Sequence, residues 1–406
     1  MKTFFKPSSG YYPWLVVFAG LFGVFASIGI GRFALGMLLP SMSNALGLSY
    51  SEMGIISTLN FTGYLVAALS SGFIARRTGT RILVFIALLS VGISMSLISL
   101  TEGFMFTAVF YTITGLGSGA SNVPIMGLVS QWFSRKKRGA AAGFIVTGSG
   151  LGVILSGLLV PYFNTINPQK GWRISWLWLG IFVIVIAVLC YLIIRDKPDN
   201  SDPASSVLHG NVSNKSILKE RLIYYVGIIY FLFGFTYVIY VTFFVTYIVK
   251  EWGVTESAAG TLWAWIGVLS LLSGPVFGTL SDKIGRGKGL FLVFLCQSIS
   301  YFLIATKINY SMIIYVSILL FGLVAWSVPS IMAALMGDIL GSEKAAAGFG
   351  FITFIFGLGQ ITGPSVAGFL AEKTGTLSTG FYMATLGASI AMVLSITLRE
   401  KMASKA

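Results

Sequence analysis

Twelve long apolar stretches constrain this chain more than any other feature of its sequence. An α-helix needs about 20 mainly apolar residues to cross a bilayer. A chain with 56% hydrophobic and 10% charged residues and this many apolar stretches is not typical of a soluble domain. We therefore predict an all-α membrane protein with twelve transmembrane helices. The predicted spans are 14–39, 53–75, 82–100, 104–126, 140–162, 174–194, 222–248, 258–281, 289–306, 310–336, 346–370 and 378–398.

The positions of the positive charges, which give a net charge of +14, are explained by the predicted topology and not by a basic binding surface. With the N-terminus inside, 21 of the 27 Lys and Arg residues fall in cytoplasmic segments and five fall in outer loops. Such a bias places both termini in the cytoplasm. It argues against a nucleic-acid partner and predicts a multi-pass protein of the cell inner (cytoplasmic) membrane, in contact with membrane lipids and monomeric.

Few residues of this sequence are suited to metal binding or to catalysis. The single histidine, His209, lies in a polar connector, and the two cysteines, Cys190 and Cys296, lie inside spans, where packing is their expected role. The first span is too long for a signal-peptide core, so we expect it to be retained. No embedded cluster of His, Asp or Glu is available for chemistry. We predict no cofactor, no metal site and no enzymatic activity.

An internal repeat divides the chain into halves. Residues 47–54 match residues 253–260 at an offset of 206, and the same offset carries Gly72 onto Gly278 and Gly79 onto Gly285. At an offset of 205, residues 140–144 match residues 345–349. The polar connector lies between the halves. The sequence thus predicts two pseudo-symmetric six-helix bundles, 1–194 and 221–406, joined by a cytoplasmic linker at 195–220.

The best-kept motif follows the eighth span: Gly278-Thr279-Leu280-Ser281-Asp282-Lys283-Ile284-Gly285-Arg286. With the repeat, it resembles the loop motif of major facilitator superfamily (MFS) transporters, and the resemblance covers essentially the whole chain. We expect Gly278 to allow close helix packing and Gly285 to suit a tight turn. The resemblance implies a substrate site near the midplane between the halves.

The N-terminal copy of this motif, residues 72–81, departs from the family pattern. Arg76 stands where the family usually has aspartate, and Arg77 follows it. The family's use of these loops to close the inner side implies a charge-swapped gate. Arg76 and Arg77 would face Asp338 and Glu343, while Asp282 would face the basic run 135–138, which ends at Arg138. The alternative is that these are solvated charges that contribute little energy.

Other segments resemble subgroups of the family. Tyr111 opens a glycine-rich stretch similar to the family's fourth-helix motif, at the position where many proton-coupled members have arginine. Trp132-Phe133 and Arg138-Gly139 resemble the loops of organic-anion and monocarboxylate carriers. The glycines of the fifth span are typical of close helix packing.

Arg32 is the main candidate for a binding residue. It is the sole charge in the run from Trp14 to Pro40, and no other charge lies well inside a span. A charge in lipid costs at least about 2.5–3.5 kcal/mol, so it normally faces a bundle interior or a cavity. With no embedded carboxylate, proton-driven export of organic cations is disfavoured. A lone buried guanidinium instead favours a carboxylate or similar anion, which it can bind through two parallel hydrogen bonds.

The family also implies which helices line the cavity: 1, 2, 4, 5, 7, 8, 10 and 11. Polar or aromatic residues at middle depth on these helices complete the predicted site. Tyr230, Phe233, Tyr237 and Tyr240 are expected to form one face of the seventh helix. The predicted substrate-binding residues are Arg32, Asn60, Tyr111, Asn122, Tyr237, Tyr240, Trp263, Trp326 and Gln360. The alternatives are aromatic packing for the rings and, for Arg32, an outer-gate or snorkelling role.

These observations favour an alternating-access secondary transporter of a small organic anion, working by proton symport or by anion exchange. Two alternatives remain open at this point. One is an exporter of uncharged or aromatic compounds through a Tyr- and Trp-lined cavity. The other is a sensor that binds a metabolite without moving it.

Overall fold

The described residues form long helices joined by short turns. The structure, a computed structural model, describes residues 11–133, 135–196, 220–308 and 311–403. The linker residues 197–219, including His209, and the side chain of Glu343 lie outside the described part. The first span contains α1 (Tyr12–Val24), a π-helical segment (Phe25–Ile30) and α2 (Ala34–Leu46). The remaining helices are α3 (Tyr50–Thr78), α4 (Thr80–Ile98), α5 (Phe104–Trp132), α6 (Arg135–Ile166), α7 (Gly171–Ile193), α8 (Arg221–Lys250), α9 (Glu256–Ile284), α10 (Arg286–Ala305), α11 (Ser311–Val324), α12 (Ser327–Thr374) and α13 (Ser378–Ala403).

The fold class predicted from the sequence is confirmed. Eleven helical stretches of the described chain are long and apolar enough to span a membrane. The twelfth is α5, which has 29 residues but is less apolar because many of them are Gly, Ser and Thr. Helix α12 contains parts of two spans, which meet at Gly341, where φ is 72°. The spans are Met312–Gly341 and Lys344–Thr374.

The chain divides into two compact units. Unit 1 comprises Met1–Leu48 and Leu59–Leu208, and unit 2 comprises Ser49–Thr58 and His209–Ala406. The first turns of α3 therefore group with unit 2, where Ser57 Oγ lies 3.0 Å from Thr242 Oγ1. The domain boundaries at 194 and 221 stay a prediction.

Glycines hold the helices of unit 1 at short distances. A Cβ added at Gly115 would lie 2.0 Å from the carbonyl oxygen of Asn60, and one at Gly119 would lie 2.2 Å from that of Tyr64. Such contacts are possible only without a side chain, so α5 packs directly on α3. Gly152 of α6 packs closely on the first span in the same way, since a Cβ added there would lie 2.4 Å from Gly29 Cα. This packing brings α3, α5 and the first span together around Arg32.

In unit 2, glycines bring α8 and α12 together in the same way. A Cβ at Gly359 would lie 2.2 Å from the carbonyl oxygen of Phe231, and one at Gly363 would lie 2.4 Å from that of Phe235. This close contact places the aromatic face of α8 against Phe356 and Gln360 of α12.

The two copies of the loop motif have similar turns, with φ 82° at Gly79 and 93° at Gly285, but different contacts. Gly285 has φ 93°, as expected for its tight turn, but a Cβ at Gly278 would meet no described atom within 4 Å, so close packing does not explain that glycine. In the N-terminal copy, a carboxylate from outside the motif contacts the segment after the turn. Asp196, which follows α7, accepts a hydrogen bond of 2.8 Å from the backbone N–H of Arg81 in the first turn of α4. A carboxylate there stabilises the helix N-terminus.

Candidate functional site

A break in the first span positions Arg32. The backbone N–H groups of Gly31 and Phe33 bond to Ala26 and Ile28, five residues back, at 2.9 and 3.3 Å. Such π-type bonding widens the helix, and it often marks functional sites. The span runs from Tyr12 to Leu46, longer than predicted, so Arg32 lies about 4.5 Å beyond its midpoint at 1.5 Å per residue. The extension at its outer end brings Arg32 nearer the middle of the span than the sequence suggested.

The guanidinium of Arg32 is stacked on two aromatic rings of α3. Its Cζ lies 4.3 Å from the ring centroid of Phe61 and 4.1 Å from that of Tyr64. The residue is only 8% exposed, and no other charged residue in the described chain is buried. Its Nε and Nη2 atoms have no hydrogen-bond partner among the described residues. The rings stabilise the charge from its faces and leave these in-plane donors unsatisfied.

Hydrogen bonds connect Arg32 to Tyr111 and Asn60, and another bond links Asn122 to Tyr64. The hydroxyl of Tyr111 donates to the Arg32 carbonyl at 2.8 Å, and Asn60 Nδ2 donates to the Tyr111 carbonyl at 2.9 Å. Asn122 Nδ2 donates to the hydroxyl of Tyr64 at 2.9 Å. We call this group the Arg32 cluster: Arg32, Asn60, Phe61, Tyr64, Tyr111 and Asn122. It lies entirely within unit 1.

Sequence reasoning missed Phe61 as a member of this cluster. An aromatic residue in an apolar span is usually a packing residue, and nothing distinguishes Phe61 from the other 31 phenylalanines. The available signal was its spacing: Phe61 and Tyr64 are three residues apart, so they share a helix face with each other.

A second group of predicted residues meets in unit 2. Gln360 Nε2 donates to the hydroxyl of Tyr237. The Tyr237 ring lies edge-on to Trp326, with centroids 5.8 Å apart, and stacks on Phe233 at 4.9 Å. We call Tyr237, Trp326 and Gln360 the Tyr237 cluster. Trp263 of α9 is fully buried.

Comparison with known proteins identifies the family. Residues 24–398 match the family model described as "Uncharacterised MFS-type transporter YbfB". The chain belongs to this family of MFS transporters. It is therefore a multi-pass membrane transporter and not an enzyme, as the sequence predicted.

Relatives of this MFS transporter extend over most of its length. The hexuronate transporter of Bacillus subtilis is 25% identical over 374 residues, which cover 87% of each chain. The high affinity nitrate transporter 2.7 of Arabidopsis thaliana is 26% identical over 320 residues, covering 71% of this chain and 63% of the relative. A solved bacterial homologue of the human lysosomal transporter Spinster, inward-facing and unoccupied, matches 98% of this chain and 99% of its own with a TM-score of 0.81. At 14% identity that likeness shows the fold alone.

Tyr240 does not share the surroundings of Tyr237 in this transporter. Its hydroxyl lies 3.0 Å from Ser317 Oγ, and its ring stacks on Phe321 at 4.1 Å. The predicted aromatic face of the seventh helix therefore meets different neighbours at Tyr240, and substrate binding by this residue stays a prediction. The reason is that α10, α11 and α13 surround this end of α8, so Tyr240 has packing partners on a side that the helical spacing alone does not reveal.

The predicted gate residues have contacts within their own units. In unit 2, Arg286 bonds to Asp282 and, at 2.9 Å, to Asp338. In unit 1, Arg138 donates to the carbonyls of Phe133 and Ser130 at 2.9 and 2.8 Å. Arg76 and Arg77 are exposed, and Arg77 lies over the Phe73 ring at 4.4 Å. The gate pairing stays a prediction, with Arg286 as a competing cation that the sequence reasoning overlooked.

Proposed function

We propose that this protein is an alternating-access secondary transporter of small organic anions, and that Arg32 binds the anion. The observation that carries the proposal is the buried guanidinium with two unsatisfied N–H donors. Leaving a charge in the protein interior without a partner costs several kcal/mol, which ring stacking offsets only by about 0.5–2 kcal/mol. An anionic substrate supplies the missing partner.

The shape of the donor set favours a planar anion. The N–H groups of a guanidinium lie in its plane, so the free donors of Arg32 point along that plane, while the ring centroids of Phe61 and Tyr64 lie 4.3 and 4.1 Å from its Cζ. A carboxylate accepts two such parallel bonds. The relatives support this class, since a hexuronate carboxylate and nitrate are both planar oxyanions.

Coupling by a protein carboxylate inside the membrane lacks support. Among the described residues, no Asp or Glu is buried. We propose that the driving force comes through the anion itself, either by exchange for a second anion or by symport with a proton that titrates the substrate. The test therefore includes conditions for anion exchange and conditions for proton symport.

The test is uptake of labelled carboxylates, sulfonates and phosphates into proteoliposomes, with and without a pH gradient and with and without anion inside. We expect carboxylate uptake by the wild type, and we expect Arg32→Ala to lower apparent affinity by about 30-fold or more, as for a buried charge pair that loses one partner. Arg32→Lys should also be impaired, because an ammonium cannot make the two parallel bonds.

Arg173 provides a matched control for these variants. It is also stacked on an aromatic ring, 4.3 Å from Trp172, but its Nη1 donates to the Ser99 carbonyl at 2.7 Å. Arg173→Ala should leave anion selectivity unchanged. Carboxylate uptake that survives Arg32→Ala at wild-type affinity would refute the proposed role of Arg32, and transport of uncharged aromatic compounds instead would favour the exporter alternative.

A further inference from the structure

The Arg32 cluster contains an unsatisfied acceptor as well as unsatisfied donors. Asn60 is 1% exposed, and its Oδ1 has no hydrogen-bond partner within the described residues. The orientation of this amide is determined by chemistry, since its other end faces the Tyr111 carbonyl, which can only accept. A buried acceptor left without a donor costs about 1–3 kcal/mol. Neither the anion's negative charge nor any described side chain relieves this cost.

Asn60 is a neighbour along α3 of the two residues whose rings contact the guanidinium. Asn60 directly precedes Phe61 and lies one turn, about 6 Å, before Tyr64. Those two residues carry the rings on which Arg32 stacks. Tyr111 bonds to both ends of the arrangement: its carbonyl accepts from Asn60, and its hydroxyl donates to the Arg32 backbone. The unsatisfied donors of Arg32 and the unsatisfied acceptor of Asn60 therefore belong to one cluster, and Asn60 lies one turn of α3 from the ring that contacts the guanidinium.

We propose that the transported anion is a hydroxy acid, whose carboxylate binds Arg32 and whose hydroxyl donates to Asn60 Oδ1. This inference rests on the proposed function and adds the specificity-determining residue. A carboxylate has no proton to donate at neutral pH, so a second group of the substrate must satisfy the amide oxygen. A site with a buried polar group of this kind discriminates against analogues that lack the matching group, because they leave it unpaired.

The experiment compares acids that differ by a hydroxyl. Lactate against propionate and malate against succinate are tested as competitors of labelled uptake and as stabilisers in thermal unfolding of the purified full-length protein. For wild type we expect the hydroxy acid of at least one pair to bind about 5- to 100-fold more tightly. Asn60→Ala should bring that ratio close to one while carboxylate binding persists.

Two further variants separate this effect from a general loosening of the cluster. Tyr111→Phe removes the hydrogen bond to the Arg32 backbone but leaves both ends of Asn60 in place, so the ratio should be retained. Asn60→Leu has a similarly branched side chain and no acceptor. It replaces Asn60→Ala if the alanine variant does not fold.

The outcomes distinguish this inference from the proposed function. A wild type that binds both members of each pair equally, or an Asn60 variant that keeps the wild-type ratio, overturns the hydroxy-acid inference, and a bound water then satisfies Asn60. The anion-transport proposal survives that result as long as Arg32→Ala abolishes binding of both acids. A third outcome is that Asn60→Ala loses the preference for the hydroxy acid while Arg32→Ala binds both acids as the wild type does. It would reject Arg32 as the carboxylate ligand and retain Asn60 as the hydroxyl acceptor.

Discussion

At the scale of single residues, the Arg32 cluster separates two kinds of contact to one cation. Phe61 and Tyr64 contact the faces of the guanidinium and need only their rings for this. The hydroxyl of Tyr64 has a separate task, since it accepts from Asn122. The two tasks of Tyr64 can therefore be removed one at a time.

Tyr64→Leu removes the ring, whereas Tyr64→Phe removes only the hydroxyl. We expect Tyr64→Leu to weaken anion binding by about 2- to 30-fold, the equivalent of the cation–π contribution of roughly 0.5–2 kcal/mol. Tyr64→Phe should remain near wild type if the ring is what matters. Apparent KM values for uptake measure both effects, and equal losses in the two variants would show that the Asn122 hydrogen bond is the important contact.

At the scale of helices, small residues decide where the site can form. The contact of Gly115 with Asn60 and that of Gly119 with Tyr64 set the distance between α3 and α5. Because Asn60 and Tyr64 are themselves members of the Arg32 cluster, the packing of these two helices and the geometry of the site cannot vary independently. The small residues that lower the hydropathy of the fourth span are thus also the ones that let α5 pack closely on α3.

Gly115→Ala should damage both stability and transport. The added methyl would lie 2.0 Å from the Asn60 carbonyl oxygen, so α5 must move away from α3, at a cost of about 1–3 kcal/mol. Gly127→Ala on the same helix is the control, since its methyl would meet no described atom within 4 Å. Thermal unfolding in detergent measures the difference. Equal melting temperatures for the two variants would mean that α5 does not rely on this contact.

At the scale of the whole molecule, the predicted gate depends on how charged residues near the ends of the helices are paired. The sequence predicts pairing of Asp338 with Arg76 or Arg77, while the structure shows Asp338 bonded to Arg286 within unit 2. Both carboxylates that bind Arg286 are largely exposed, so that ion pair alone contributes little stability. A role in the transport cycle is a better reason for examining it.

Charge reversal can assign the partner of Asp338. Asp338→Lys should lower the rate of uptake, and the predicted gate requires that Arg76→Glu added to it restores transport. If Arg286→Glu restores transport instead, the pair within unit 2 is the functional one. Initial uptake rates at equal protein levels give the answer, and the single Arg76→Glu and Arg286→Glu variants serve as controls.

The sequence by itself determined the class of the protein, the number of spans and the isolation of Arg32, because these depend on hydropathy and on where charges occur along the chain. The repeat and the loop motif added the family, which comparison confirms. Polarity and depth, on the helices that the family resemblance implies, also brought Asn60, Tyr111 and Asn122 into consideration. These criteria could not separate them from Tyr240, which met the same criteria and packs elsewhere.

Only the tertiary structure decided which of these residues meet and which of their atoms are left unsatisfied. The contacts of Arg32 come from α3 and α5, at positions up to 79 residues away in the sequence. The break that turns its backbone is a π-type irregularity, and its segment Phe25–Ile30 contains no proline or charge from which the irregularity could be predicted. Hydrogen-bond satisfaction is a property of atoms in three dimensions, so the unpaired guanidinium donors and the unpaired Asn60 oxygen cannot be read from helical periodicity.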